Sequence, residues 1–181
     1  MPLINWKKKK PTIIIDIDGV IRNIFSRMVE VINEHLYLNI KESSINSWDL
    51  ESCIDVDPVW LFTTFGRQIF YESKPYPDTI KHLSMISDSY NIILVSNQIT
   101  KENEEYTTQW LTKCGIKILV DKVIYTKDKN SVEADIIIDD YPENLKGHNA
   151  RYKYLYDQYH NRDCKEYNRV YNLHHLISWL E

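Results

Sequence analysis

Four short aliphatic runs constrain this chain more than anything else in it. Thr12 to Ile17 (TIIIDI), Asn91 to Ser96 (NIILVS), Lys122 to Thr126 (KVIYT) and Asp135 to Ile138 (DIII) are rich in β-branched residues. Such runs read as buried strands, covered on both faces. Between them the spacing becomes helical. Phe25, Met28, Ile32 and Leu36 mark an amphipathic helix over 22–38, and residues 101–114 form another that Gly115 can end. Asp57-Pro58 offers an N-cap and a first-turn proline for a helix to about Phe70. Tyr76-Pro77-Asp78 breaks the chain and caps a helix carrying Ile80, Leu83, Met85 and Ile86. Pro142 and Glu143 can start a short helix, and Leu173 to Leu180 closes with one. A fifth strand falls at Tyr152 to Tyr156 or at Arg169 to Tyr171. Strands alternating with helices make a parallel α/β sheet of about five strands, with helices on both faces.

The first crossover is too long for that pattern. Residues 20–90 separate the first two runs, far more than one connecting helix needs. They are read as an insert of helices over one end of the sheet, with 39–56 polar and irregular. Residues 1–19 and 91–181 are the α/β core, to which the helix over 78–89 can also belong. Sites in open α/β sheets form beyond the carboxyl ends of the strands. The polar residues cluster there.

Each strand end offers something to a phosphate. Asp16 and Asp18 alternate along an extended segment and so face one small volume, and Gly19 permits a sharp turn out of the strand. Ser96 and Asn97 supply a hydroxyl and an amide for phosphoryl oxygens. Lys127 and Lys129 supply positive charge, and Asp139-Asp140 follow the fourth strand directly. Converging carboxylates repel one another unless a cation neutralises them, and an all-oxygen ligand set suits magnesium, Mg²⁺. Carboxylates, Mg²⁺, lysine and serine are what phosphoryl transfer requires. Alone, a DxDG or an Asp-Asp is weak, since aspartates at strand ends often cap the next turn. Four such elements in order carry the functional reading.

Composition excludes several other classes. A net charge of −4 argues against a protein that coats nucleic acid, and no stable nucleic-acid complex is expected. No apolar run approaches the ~20 residues needed to span a bilayer, so no membrane partner is expected. Cys53, Cys114 and Cys164 are odd in number and widely spaced, as free thiols of a cytoplasmic protein would be. The start, MPLINWKKKKP, has the wrong order for a secretory signal; Lys7 to Lys10 read as a solvated lead-in to the first strand. His174-His175 reads as surface. His160 and Cys164 fall in a polar loop without a partner at ligand spacing. RYKYLYDQYH (151–160) reads as an edge strand or a partner surface.

In the order IIIDIDGV, IILVSN, TKDK and IIIDDYPEN, the chain resembles the haloacid dehalogenase (HAD) superfamily of phosphatases across about residues 12–145. YTKDKNSVEADIIIDDYPEN and KPYPDTIKHL are similar to the corresponding stretches of the 5'(3')-deoxyribonucleotidases. The resemblance implies a HAD-like doubly wound sheet with a small helical cap. It also implies Asp16 as the nucleophile, forming an aspartyl-phosphate, and Asp18 as general acid and then base. Ser96 and Lys129 would hold phosphoryl oxygens, with Lys129 preferred over Lys127 because it matches the motif position. Mg²⁺ would be bound by Asp16, the main-chain carbonyl of Asp18 and Asp139, with Asp140 acting mainly through metal-bound water.

The family sandwiches the base with an aromatic shortly after the first motif; here Ile24 stands nearest, with Phe25 beside it. It also tends to place a basic residue after the fourth-motif aspartates, where this chain has Tyr141. Trp48, Trp60 and Phe65 of the insert are candidates for a stacking wall, weighed against core packing. Trp60 is the preferred choice, one turn from Phe65. The substrate implied is a small phosphorylated molecule, a nucleoside monophosphate, with a sugar phosphate or a polynucleotide end as alternatives; a phospho-receiver or a catalytically silent binding module is the alternative of a different class. The oligomeric state stays open, a homodimer included.

Overall fold

The computed structural model describes residues 10–180. The readings of residues 1–9, including Lys7 to Lys9, lie outside them; the Lys10 ammonium donates to the Ser87 carbonyl at 2.7 Å. Six strands form one sheet: β1 (Thr12–Asp16), β2 (Asn91–Ser96), β3 (Lys122–Tyr125), β4 (Ile136–Asp139), β5 (Tyr152–Tyr156) and β6 (Asn168–Val170). Their order is β3-β2-β1-β4-β5-β6, and every pairing is parallel. The sheet is thus one strand larger than expected, because both candidate segments for a fifth strand take part. The tyrosine-rich stretch is β5, an inner strand with Tyr154 and Tyr156 buried; the edge is the three-residue β6.

Both faces of the sheet are covered, as the unbroken aliphatic runs require. Ile13 and Ile15 face a cluster with Leu94, Ile138, Trp110, Leu83 and Leu176, whereas Ile14 faces the other side with Val95, Ile137 and Leu145. The first face carries helices α4 (Thr79–Ser89), α5 (Lys101–Lys113) and α7 (Leu173–Leu180), and the second carries α6 (Pro142–Lys146). Gly115, at φ +70°, ends α5.

Residues 24–70 build a third apolar cluster, from Ile24, Met28, Ile32, Leu50, Leu61 and Phe70 among others. Helix α1 (Ile24–Leu36) starts two residues later than expected, capped by Asn23. The stretch read as irregular contains a short helix α2 (Leu50–Ile54), whose N-cap Asp49 accepts from the Glu51 amide at 3.2 Å. One turn is too short to show a period. Asp57 caps α3 (Pro58–Thr64) as expected, accepting from the Val59 amide at 2.8 Å. The helix does not run through Phe70, however; it stops at Phe65, and a π-helical turn follows at Arg67–Tyr71. Asp78 precedes α4 but caps nothing: its φ is +58°, and Thr79 makes the local bonds to the Tyr76 carbonyl instead. The chain leaving the sheet and the chain returning to it are tied together. Asn23 N donates to Lys74 O, and Tyr76 N donates to Ile21 O.

Candidate active site

β1, β2 and β4 are neighbours, so their carboxyl ends meet. Asp16 ends β1 and Asp139 ends β4, both buried. Lys129, itself only 5% exposed, bridges them, donating to Asp16 Oδ1 and, at 2.6 Å, to Asp139 Oδ2. Lys127 is exposed. The other oxygen of Asp139 accepts from the Tyr141 amide at 2.9 Å and from Asn144 Nδ2 at 3.0 Å. Asp140 is 1% exposed, and its Oδ2 has no hydrogen-bond partner. Oxygens of Asp16, Asp139 and Asp140 lie within 4.8 Å of one another.

Crowding shows in the proton affinities. Burial, with Asp139 and Asp18 adding to it, pushes Asp16 up to about 8 despite the opposing pull of Lys129. Burial and the neighbouring Asp16 and Asp139 push Asp140 well above the usual carboxylate range. Burial acts to lower Lys129, but Asp139 and Asp16 more than reverse it and hold the ammonium charged. A divalent cation fits this donor set. The ligands are all oxygen, one is an orphaned buried carboxylate oxygen, and the charge is undercompensated.

Gly19 makes the crowding possible. It leaves β1 at φ +80°, and a Cβ there would stand 2.2 Å from Asp140 Oδ2 and 2.9 Å from the Phe25 ring. A side chain would need both a strained backbone and the space of a carboxylate.

Asp18 lies beside this trio. Its Oδ1 receives Arg22 Nε at 2.7 Å, and its Oδ2 receives Gln98 Nε2 at 2.7 Å and Ser96 Oγ at 3.2 Å. Asn97 is exposed. Ser96, Asp18, Asp16, Lys129, Asp139 and Asp140 are therefore assembled at one end of the sheet.

Above Asp18 opens a cavity of about 440 Å³, walled by Ile24, Phe25, Met28, Trp48, Phe62 and Phe70, with Asn97, Gln98 and His160 also lining it. A larger recess of about 650 Å³ lies between α4, β5 and the start of α7, and none of Asp16, Asp18, Asp139 and Asp140 lines it. Trp60 and Phe65 are not among the residues lining the smaller cavity. Pro58 and Phe62, four residues apart, face it; Trp60 sits roughly 200° around α3 from each of them. Trp60 is 42% exposed and meets Phe65 edge-on at 5.6 Å, so it belongs neither to this wall nor to a core. Trp48 takes the wall position, stacked on Tyr141 at 4.2 Å.

His160 is not a bland loop residue. Its Nε2 stands 3.1 Å from the Asp140 carbonyl and 3.4 Å from Asp140 Oδ2, its ring contacts Phe25 and Trp48, and burial lowers it to about 4. Gln158 and Asn161, from the same segment, donate to the carbonyls of Gly19 and Asp140 at 2.6 and 2.7 Å. Arg22 and Gln98 also went unread in the sequence. The four-residue spacing of Asp18 and Arg22 was the one local signal for either.

Residues 10–179 match the family model for 5' nucleotidase, deoxy (pyrimidine), cytosolic type C protein. The chain is similar to the 5'(3')-deoxyribonucleotidase of Bacillus subtilis (strain 168): 28% identical over 177 residues, covering 90% of this chain and 94% of the relative. Among solved structures it is similar to the haloacid dehalogenase-like hydrolase SP0104 of Streptococcus pneumoniae. The TM-score is 0.66 at 14% identity, over 95% of this chain and 99% of the other. It is also similar to the HAD-hydrolase YfnB of Bacillus subtilis bound to magnesium, with a TM-score of 0.61 at 12% identity over 96% and 100%. These two likenesses show a HAD-like fold.

Proposed function

The chain belongs to the 5' nucleotidase, deoxy (pyrimidine), cytosolic type C family, and from that premise we propose a Mg²⁺-dependent phosphomonoester hydrolase that dephosphorylates (deoxy)nucleoside monophosphates. The observation that carries this reading is the buried trio Asp16, Asp139 and Asp140, the first two bridged by Lys129, at the strand ends beside an apolar cavity. In this reading residues 20–90 act as the cap, with α4 serving the core.

Asp16 attacks phosphorus as the P–O bond to the leaving oxygen breaks, and Asp18 delivers a proton to that oxygen. The free alcohol, a nucleoside, leaves. Asp18, now a base, takes a proton from water, whose oxygen attacks phosphorus and cleaves the acyl-phosphate. Inorganic phosphate departs and Asp16 is restored. Lys129 and Ser96 hold phosphoryl oxygens throughout. Asp16, Asp139, Asp140 and the Asp18 carbonyl would hold Mg²⁺, which when bound offsets charge on those oxygens. The apolar wall suits a flat base, and the cavity is small enough to favour a mononucleotide over a polynucleotide end.

Phosphate release from deoxynucleoside 5'- and 3'-monophosphates, ribonucleotides and sugar phosphates, with Mg²⁺ and with chelator, tests the reading. Turnover of nucleotides that stops on chelation is expected. Release from sugar phosphates and from no nucleotide would overturn the nucleotidase assignment.

A further inference from the structure

Arg22 is a charged side chain with no exposure at all, and every nitrogen of its guanidinium is used. Nε and Nη2 hold Asp18 Oδ1 at 2.7 and 2.6 Å. Nη1 donates to the Phe70 carbonyl at 2.7 Å, and Nη2 reaches Thr107 Oγ1 at 3.0 Å. Its Cζ lies over the rings of Phe70 and Trp110, 5.1 and 5.0 Å from their centroids. Arg22 therefore joins three regions: the loop after β1, the π-helical turn of the insert, and α5.

Stability alone is a poor account of such a group. A buried ion pair gives back little beyond its desolvation cost, and an apolar side chain of the same volume serves the fold as well or better. Direction is what a planar, multiply bonded guanidinium supplies. Asp18 is one-fifth exposed, and all of that guanidinium's grip falls on one of its oxygens. The other oxygen is left to the small donors Ser96 and Gln98. Asp18 and Phe70 both line the cavity, whereas Arg22 does not. Its effect on chemistry must pass through them.

We propose that Arg22 is a positioning residue: it clamps Asp18 by Oδ1, so that Oδ2 alone is presented to the leaving oxygen, and it ties that placement to the substrate wall through Phe70. This rests on the acid–base role given to Asp18 above. The clamp matters where a proton must be delivered and not where the leaving group departs unaided.

The test compares a deoxynucleoside 5'-monophosphate with p-nitrophenyl phosphate, whose leaving oxygen needs no proton. Arg22→Lys keeps the charge but cannot span Asp18, Phe70 and Thr107 together. It should lower kcat on the nucleotide ~10- to 100-fold and on the aryl ester less than ~3-fold. In an Asp18→Asn background the same change should leave the ratio of the two rates where it stands. Thr107→Val, nearly isosteric, frees one Nη2 bond and should shift the ratio several-fold in the same direction; it decides the matter if Arg22→Lys does not fold. Equal losses on both esters, or a folded Thr107→Val with an unchanged ratio, would overturn the clamp and leave Arg22 a structural residue. A wild-type protein that releases phosphate from neither ester would instead bring down the hydrolase reading itself.

Discussion

At the carboxyl ends of β1, β2 and β4, the side chains of Asp16, Asp18, Ser96, Lys129 and Asp139 are each held by hydrogen bonds or ion pairs. Across the cavity, residues 24–70 present mostly carbon: Ile24, Phe25, Met28, Trp48, Phe62 and Phe70. Directional bonds fix positions to tenths of an ångström, and their loss leaves buried charge unpaired. Apolar walls define a volume and tolerate repacking. Changes at the strand ends should therefore act on kcat, and changes in the insert on KM.

The sharpest way to break that division is at Asp16, the proposed nucleophile. Asp16→Asn should reduce turnover on the order of 10⁴-fold or more in steady-state assays, because an amide is a very poor nucleophile. Residual activity within tenfold of wild type would move the nucleophile elsewhere. Asp18→Asn should slow alkyl phosphates by ~100- to 10,000-fold and aryl phosphates much less, with the fold kept in a thermal melt. Equal slowing of both esters would remove Asp18 from the acid role.

On the insert side the expected effects shrink and change character. Trp48→Ala deletes the ring stacked on Tyr141 at the cavity wall. It should raise KM for a nucleotide roughly 5- to 150-fold, the worth of one stacked base, with kcat on p-nitrophenyl phosphate nearly constant. A fall in kcat with KM unchanged would mean that the wall positions chemistry after all. Trp60→Ala, on the far side of α3, should leave nucleotide KM within about twofold and cost under ~1 kcal/mol in a melt, as for an ordinary surface change. A KM rise as large as that of Trp48→Ala would put Trp60 back in the base pocket.

The same division governs what could be read from the chain. The strand ends were legible because each motif is local: an aliphatic run, then a polar residue. Choosing Lys129 over Lys127 needed the family resemblance, since two residues of spacing carry no sign of which lysine is buried. Trp48 was harder to choose. It lies in a stretch without periodicity, and which side of α3 faced the site depended on where the insert docked. His160 acts on Asp140, twenty positions earlier, through a turn with no pattern of its own. β6, three residues long, reads in the sequence only as an alternative to β5, because so short a run does not show that it adds a sixth strand.

The central place of β1 bears on the order in which the protein is made. Its partners are β2 and β4, at residues 91–96 and 136–139, while the apolar cluster of the insert is drawn from residues 24–70 with Tyr106 alone from beyond. Chains fold as they emerge, and contacts close in sequence form first. On the ribosome the insert can therefore collapse while Asp16 still hangs in water without a partner. Lys129, which neutralises it, lies 113 residues downstream and is synthesised only when most of the chain already exists. A nascent chain halted shortly before Lys129 would hold the walls of a pocket and Asp18 with its partners Arg22, Ser96 and Gln98, but nothing to neutralise Asp16.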